Sequence, residues 1–184
     1  MRRYLLLHCI LFAGFTSLFA QGGKIFSAKS GKILFQSEAP FETIKAGSND
    51  VKGLLDVDKK TFAFRVRMQT FDGFNSALQK EHFNENYLES TKFPEATFSG
   101  KIIEDIDFTK EGTHTIRAKG NFTIHGVTQE RIIKSEVKIS DGKVIINSRF
   151  SVLLGDHNIP IPKVVKDKLN SEIDVQVNCQ MEPR

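Results

Sequence analysis

TFAFRVRMQ, residues 61–69, carries the clearest structural signal in this 184-residue chain. Apolar side chains occupy every second position, and small, charged or amide side chains lie between them. Because successive side chains of a β-strand point to opposite faces, this period of two predicts a strand with one dry face and one wet face. The dry face contains Phe62, Phe64, Val66 and Met68.

The same alternation recurs along the chain and predicts further strands. The first of them is either one strand or two, broken near Gly31. Asp141-Gly142 lies between two alternating runs and predicts a tight hairpin. About eight antiparallel strands of this length suit an up-and-down barrel, with a β-sandwich as the alternative. The further strands span residues 25–37, 51–57, 96–104, 114–124, 129–140, 143–152 and 172–181.

Residues 71–98 interrupt the two-residue period. Ser76-Ala77-Leu78-Gln79 has the form of a capping box, in which serine and glutamine side chains satisfy free N–H groups at a helix start. Pro94 disfavours helical geometry at Phe93, so we expect the helical segment to end there. This segment would form a lid or plug on the barrel. The side chains four residues apart, which share faces of the helix, are Phe74, Leu78 and His82, then Phe83 and Tyr87.

Two other segments lack the strand period. Residues 39–50 are rich in turn-forming residues and predict a loop, with a helical turn over residues 41–45. Residues 163–169 follow Pro160-Ile161-Pro162 and predict a second short helix. The expected fold is therefore all-β, an antiparallel barrel of about eight strands with one or two short helices.

The first 20 residues predict a secretory signal peptide. Arg2 and Arg3 form a positive n-region, the apolar run from Tyr4 to Phe19 is short for a membrane span of roughly 20 residues, and a small residue, Ala20, precedes the expected cleavage site. We therefore expect an exported protein, periplasmic or secreted, with residues 21–184 forming a single domain. Cys179 is the only cysteine in that domain, so an internal disulfide is excluded and packing must hold the fold.

Basic and acidic residues are interspersed, and the formal net charge is only +4. This balance argues against a nucleic-acid partner. Lys163, Lys166 and Lys168 form a small basic cluster that could attract an anionic head group or a membrane surface, although a solvated helix face is the simpler interpretation. A transient contact with a membrane surface is therefore one expectation.

The inward faces of the predicted strands combine large apolar residues with small ones at Ala118, Gly120, Ser135 and Ser148. Inward side chains of a barrel of about eight strands either fill the interior or leave room for one ligand. Both outcomes are compatible with this pattern, as is the high phenylalanine content without tryptophan. The residues expected to line a lumen are Phe62, Phe64, Val66, Met68, Phe98, Ile116, Phe122, Val137, Ile146, Phe150, Val175 and Val177.

Two longer motifs carry a family resemblance. HFNENYLESTKFPEATFSG, residues 82–100, and GNFTIHGVT, residues 120–128, resemble signatures of the YceI-like family of exported lipid-binding proteins. The resemblance covers nearly all of residues 21–184. It implies a lipocalin-like antiparallel barrel whose lumen holds a polyisoprenoid or a similar amphiphile. We therefore expect an isoprenoid or fatty-chain lipid as the partner, and the residues themselves predict neither catalysis nor a cofactor.

Three functions remain open at this point. The first is the carrier, with weaker contacts to the ligand at the mouth from Phe74, Leu78, His82 and Tyr87. The second is a lumenal enzyme acting on a similar lipid, which requires at least two titratable side chains facing inward together. The third is a filled barrel that serves as an interaction module.

The sequence offers little support for catalysis or metal binding. Asp156-His157 could act as an orienting acid and a base, but no serine elbow or cysteine partner accompanies the pair. The histidines lack the spacing of a zinc site. The strand charges that the alternation places outward are Arg65, Arg67, Arg117, Lys119, Lys134 and Glu136.

Overall fold

A computed structural model describes residues 24–184, so the predicted signal peptide lies outside the described residues. One α-helix is present in this range, α1 (Ala77–His82), and a π-helical turn follows it over Phe83–Tyr87. Short 3₁₀ turns occupy Met68–Thr70, Leu154–His157 and Lys163–Val165. The strands are β1 (Ile25–Glu38), β2 (Thr43–Ser48), β3 (Lys52–Asp56), β4 (Thr61–Arg67), β5 (Glu95–Ile102), β6 (Gly112–Ile124), β7 (Val127–Ser140), β8 (Lys143–Leu153) and β9 (Glu172–Pro183).

The long first strand closes the sheet into a barrel. β1 pairs with β9 along one edge and with both β2 and β3 along the other, and β3 to β9 pair in sequence order. In β1, Ile33 pairs with Ser48 of β2 and Ile25 pairs with Asp56 of β3, so the two pairings follow one antiparallel register. β2 and β3 therefore act as one interrupted strand, and the structure is a closed antiparallel barrel of eight strands. The predicted barrel is confirmed, and the sandwich alternative is wrong.

Tight turns join the central strands. His125 and Gly126, at the β6–β7 turn, have φ values of 52° and 72°, and Asp141 and Gly142, at the β7–β8 turn, have φ values of 52° and 70°. Positive φ at both central residues is the mark of a type I′ turn, whose twist matches that of the flanking strands. The hairpin predicted at Asp141-Gly142 is therefore present, as the pairing of Ser140 with Lys143 also shows.

A pair of glycines lets two strands approach closely on the inner side of the wall. Gly100 of β5 lies directly opposite Gly120 of β6. A Cβ atom at Gly100 would lie 2.1 Å from the carbonyl oxygen of Lys119, a distance that no side chain tolerates. Glycine in a strand commonly marks such a bend or backbone approach. Gly120, which the sequence suggested as a source of lumen space, therefore serves the close approach of two backbones.

Buried apolar residues from many elements form one core. Among them are Phe26, Leu55 and Val144 on three different strands, and Phe108 in the loop between β5 and β6. Burial raises the pKa of the Cys179 thiol to about 11, so it stays protonated near neutral pH. The cysteine is thus a small apolar core residue and not a reactive thiol.

Several local expectations were wrong. Residues 39–50 were expected to form a loop with a helical turn over residues 41–45, but residues 43–48 form β2, because pairing with β1 overrides their turn-like composition. Of the two alternatives for the first strand, the single strand is correct, since β1 runs through Gly31 and carries only a bulge between Ala28 and Ser30. Of the helix expected over residues 163–169, only the 3₁₀ turn Lys163–Val165 forms. The helical segment ends at Tyr87, well before Pro94.

Candidate ligand-binding site

The barrel contains a cavity of about 440 Å³, so it is hollow. Every strand of the barrel contributes to its wall, and most of the wall side chains are aliphatic or aromatic. Small-molecule pockets in proteins usually hold about 300–1,000 Å³ and are mainly apolar. The filled barrel, left open by the sequence, is therefore wrong, and the cavity is large enough to accept an apolar ligand.

All twelve side chains expected inside the barrel lie on the cavity wall, and their contact with a ligand stays a prediction. They are Phe62, Phe64, Val66, Met68, Phe98, Ile116, Phe122, Val137, Ile146, Phe150, Val175 and Val177. The alternation along each strand was sufficient to find them. Among the wall residues that were not predicted are Ile33 and Phe35 of β1, although they too follow a two-residue period.

A chain of phenylalanine rings runs around part of the wall. The ring centroids of Phe62 and Phe98 lie 4.9 Å apart, those of Phe98 and Phe122 6.4 Å apart, and those of Phe122 and Phe150 6.0 Å apart. These residues belong to β4, β5, β6 and β8. Tilted and edge-on contacts of this kind stabilise aromatic pairs beyond simple burial. The rings therefore line the lumen as a connected surface and do not fill it.

A second aromatic group lies at the helical end of the barrel. It consists of Phe35, Phe71, Phe74 and Phe83, here called the cap cluster, and all four border the cavity. The Phe83 centroid lies 5.1 Å from that of Phe74 and 5.6 Å from that of Phe71. The cluster joins β1, the segment after β4 and the π-helical turn, which are distant in sequence. The helical segment therefore covers the cavity as a lid held by aromatic contacts.

Hydrogen bonds anchor the start of the lid. The Oγ of Ser76 accepts a hydrogen bond from the backbone N–H of Gln79 at 3.2 Å, which confirms Ser76 as the N-cap. The side-chain Oε1 of Gln79 accepts a hydrogen bond from the backbone N–H of Asn75 at 3.1 Å, one residue before the position that a capping box would use. The Gln79 amide also donates to the Glu42 carboxylate. The lid is thereby tied to the loop between β1 and β2.

Three of the four residues expected at the mouth border the cavity. They are Phe74, His82 and Tyr87, and burial raises the pKa of the Tyr87 hydroxyl. Leu78 does not belong to the wall and is 56% exposed, so this placement was wrong. The helix begins only at Ala77, and Phe74 precedes it, so the assumed four-residue spacing does not apply.

Polar side chains on the wall are few. The Ser135 and Ser148 hydroxyls lie 2.7 Å apart on neighbouring strands. Arg65 is exposed and forms an ion pair with Glu95, so its charge is compensated outside the lumen. The polar residues that border the cavity are Glu42, Arg65, Gln79, His82, Tyr87, Thr97, Ser135, Ser148 and Lys168.

The Asp156-His157 pair does not reach the lumen as a catalytic unit. His157 is fully buried, its Nδ1 donates to the Val127 carbonyl oxygen at 3.1 Å, and its ring packs edge-on against Phe122. Burial lowers the pKa of His157, which keeps the ring neutral. The Nδ1 of His125 donates to the His157 carbonyl oxygen at 3.0 Å. These contacts join the β6–β7 turn to the turn after β8, which is a structural role.

The charged side chains expected on the outside are exposed in the structure. They are Arg65, Arg67, Arg117, Lys119, Lys134 and Glu136. Within residues 24–184, no group of three or more His, Cys, Asp or Glu side chains is arranged to hold a metal ion. None of the helices described here is both long enough and apolar enough to cross a bilayer.

Comparison with solved structures relates the barrel to known folds. A polyisoprenoid binding domain from Saccharophagus degradans superposes with a TM-score of 0.74 at 10% identity, over 86% of this chain and 98% of that one. BcnA from Burkholderia cenocepacia gives 0.68 at 11% identity, over 82% and 95%. The YceI protein of Campylobacter jejuni gives 0.51 at 16% identity, over 100% and 99%. At such identities the likeness concerns the fold alone.

The sequence itself was compared in two further ways. Comparison with curated proteins found no match. A family model described as the YceI-like domain matches residues 26–181, from the first residues of β1 to the last of β9. Since this match spans the whole closed barrel and its lid, and the solved barrels share the same architecture, the chain belongs to the YceI-like domain family.

Proposed function

We propose that this protein is a non-enzymatic carrier that holds a long-chain amphiphile in its lumen, with a polyisoprenoid or an isoprenoid quinone-like lipid as the ligand. The observation that carries this proposal is the apolar cavity of about 440 Å³ under a phenylalanine-rich lid. Burial of apolar ligand surface contributes roughly 25 cal/mol per Å² before the costs of association, so an alkyl or prenyl tail is the natural occupant.

The wall chemistry supports binding over catalysis. General acid–base or nucleophilic chemistry needs titratable groups that converge on one point. Glu42, His82 and Lys168 border the cavity, but no hydrogen bond or ion pair joins any two of them. Glu42 is instead engaged with the Gln79 amide of the lid. A charged head group on the ligand would stay near these groups at the mouth while its tail enters the lumen.

We further propose that the protein is exported and takes its ligand from a membrane surface by transient contact. Phe41 is 78% exposed and Val164 is 89% exposed, which is unusual for large apolar side chains. The backbone N–H of Phe41 donates to the Asp167 carbonyl oxygen at 3.1 Å, so the two loops are neighbours. Exposed apolar residues beside lysines suit an anionic bilayer surface. Lys163 and Lys166 lie exposed on the second loop.

The proposal is tested by identifying what the purified full-length protein carries. Organic extraction of protein produced in a bacterial host, followed by mass spectrometry, should release a long-chain isoprenoid or fatty-chain lipid in a stoichiometric amount. The same extraction from heat-denatured and washed protein serves as the control. Absence of any lipid, together with failure of the stripped protein to bind an apolar fluorescent probe, would contradict the carrier function.

A further inference from the structure

Two serines form an isolated polar spot inside the lumen. Ser135 of β7 and Ser148 of β8 are directly opposite partners in the sheet, and their hydroxyl oxygens lie 2.7 Å apart. Both residues border the cavity, and Ser135 is only 6% exposed. The pair therefore lies on the inner wall, with Ser135 buried and Ser148 half-buried beside a second groove that Lys32 and Arg149 help to line.

The surroundings of the pair are apolar in every direction along the wall. Two residues away on the same strands lie Ile133 and Val137 in β7, and Ile146 and Phe150 in β8. The cross-strand neighbours on either side are Ile116 of β6 and Val177 of β9. All six of these side chains border the cavity. The two hydroxyls are thus surrounded by apolar side chains on the cavity wall.

Counting hydrogen-bond donors shows that the pair is incomplete. Two hydroxyls carry two protons, and one proton is used in the bond between Ser135 and Ser148. Neither hydroxyl makes another hydrogen bond within the described residues. One O–H group is therefore left without an acceptor among the described residues, and a buried donor without an acceptor is unfavourable. An acceptor atom supplied by the occupant of the lumen would remove this cost.

We propose that Ser135 and Ser148 form a subsite for an uncharged acceptor oxygen of the ligand, such as the carbonyl of a quinone, ketone, ester or amide. This inference rests on the proposed carrier function and adds the chemical class of the ligand. An anionic phosphate would bind weakly here, because the cavity wall around the pair provides no cation to balance its charge. A pure hydrocarbon would fill the space but leave the hydroxyl unpaired.

The experiment uses two matched probes, a straight-chain ketone with a carbon-13 label at its mid-chain carbonyl and the alkane of the same length. Their affinities are measured by displacement of an apolar fluorescent probe from wild-type protein and from the double variant Ser135→Ala, Ser148→Ala. Ser99→Ala, which changes an exposed serine on β5, is the control. Replacing both members of the pair removes the donor without leaving a partner unsatisfied, so the variant should fold.

The ketone should lose about five-fold in affinity for the double variant, which corresponds to one hydrogen bond, while the alkane should bind equally well. The infrared carbonyl band of the ketone bound to wild type should also lie at a lower frequency than in an alkane solvent. This second measurement needs no variant. An equal effect on both probes, or an unshifted band in wild type, would overturn the subsite and leave the carrier intact. Failure of wild type to bind either probe would overturn both.

Discussion

The Phe83 ring stacks on the Phe35 ring with centroids 5.5 Å apart and an angle of 13° between their planes. This contact joins the π-helical turn of the lid to β1. Its loss in Phe83→Ala should reduce the free energy of unfolding by about 2 kcal/mol, since the ring is half-buried and a fully buried one costs more.

The same variant should release bound lipid faster, because the lid would open more often. Urea denaturation and the dissociation rate of a fluorescent lipid measure the two effects. Leu78→Ala is the matched control, because Leu78 lies on the same segment but is exposed and outside the cap cluster. If Phe83→Ala and Leu78→Ala behaved alike, the aromatic contact would not hold the lid.

Phe64→Asp should reduce lipid affinity by at least about ten-fold, because it places a carboxylate against the apolar tail without a partner. Ala63→Asp provides the control, since the neighbouring residue of β4 points outward and is exposed. Circular dichroism checks that both variants fold, and lipid retained after gel filtration gives the result. Normal retention by folded Phe64→Asp would remove this residue from the binding surface.

Gly100→Ala should destabilise the barrel by about 2 kcal/mol or prevent its folding, because the added Cβ meets the Lys119 backbone at 2.1 Å. Backbone atoms of a paired strand cannot move aside as a flexible side chain could. Gly155→Ala is the control, since nothing lies within 4 Å of a Cβ built there. Thermal unfolding distinguishes the two variants. Equal melting temperatures would show that β5 and β6 separate easily.

The buried histidine predicts a loss of stability in mild acid. Burial lowers the pKa of His157 from its usual 6.5, with Arg131 adding to this effect, and the hydrogen bond to Val127 opposes it. When the pH falls below 6.5, His157 binds a proton in the unfolded chain, whereas in the folded chain it binds one only at a lower pH. Stability should therefore fall as the pH drops through this range, with a slope of at most about 1.4 kcal/mol per pH unit from this residue.

His157→Asn isolates that contribution, because its amide can still donate to the Val127 carbonyl oxygen while lacking a titratable ring. Urea denaturation of both proteins between about pH 7.5 and about pH 5.5 gives the comparison. The variant should be less stable than wild type near neutral pH, and its free energy of unfolding should fall less on acidification. The neighbouring His125 and Asp156 are the same in both proteins, so the difference belongs to His157. Parallel losses would show that its protonation is not linked to unfolding.

The exposed apolar side chains of Phe41 and Val164 at the mouth predict binding to anionic vesicles. The double variant Phe41→Ser, Val164→Ser should bind phosphatidylglycerol vesicles about five-fold or more weakly, because two apolar side chains no longer enter the interface. Ile132→Ser controls for loss of an exposed apolar residue elsewhere, since Ile132 is 58% exposed on the outer wall. Vesicle sedimentation at low salt and at high salt measures the apolar and the electrostatic contributions to binding. Unchanged binding by the double variant would exclude this surface.

Several features of the molecule follow from short stretches of sequence. The two-residue period of β4 identifies which side chains of that strand face the lumen, because the pleat sends alternate residues to opposite faces. Asp141-Gly142 defines a turn whose positive φ values only a few residue types adopt. Ser76 marks the helix start, since its hydroxyl satisfies a free N–H group. These features depend on local geometry alone.

Other features arise only when distant segments meet. β2 forms because β1 offers it a pairing edge. The barrel closes because β1 also pairs with β9, as in the pair of Phe35 and Val175, which are far apart in sequence. The cap cluster and the hydroxyl pair of Ser135 and Ser148 depend on the same assembly. A periodic pattern states which face of a strand is dry, but only long-range pairing decides whether those dry faces enclose a cavity or fill it.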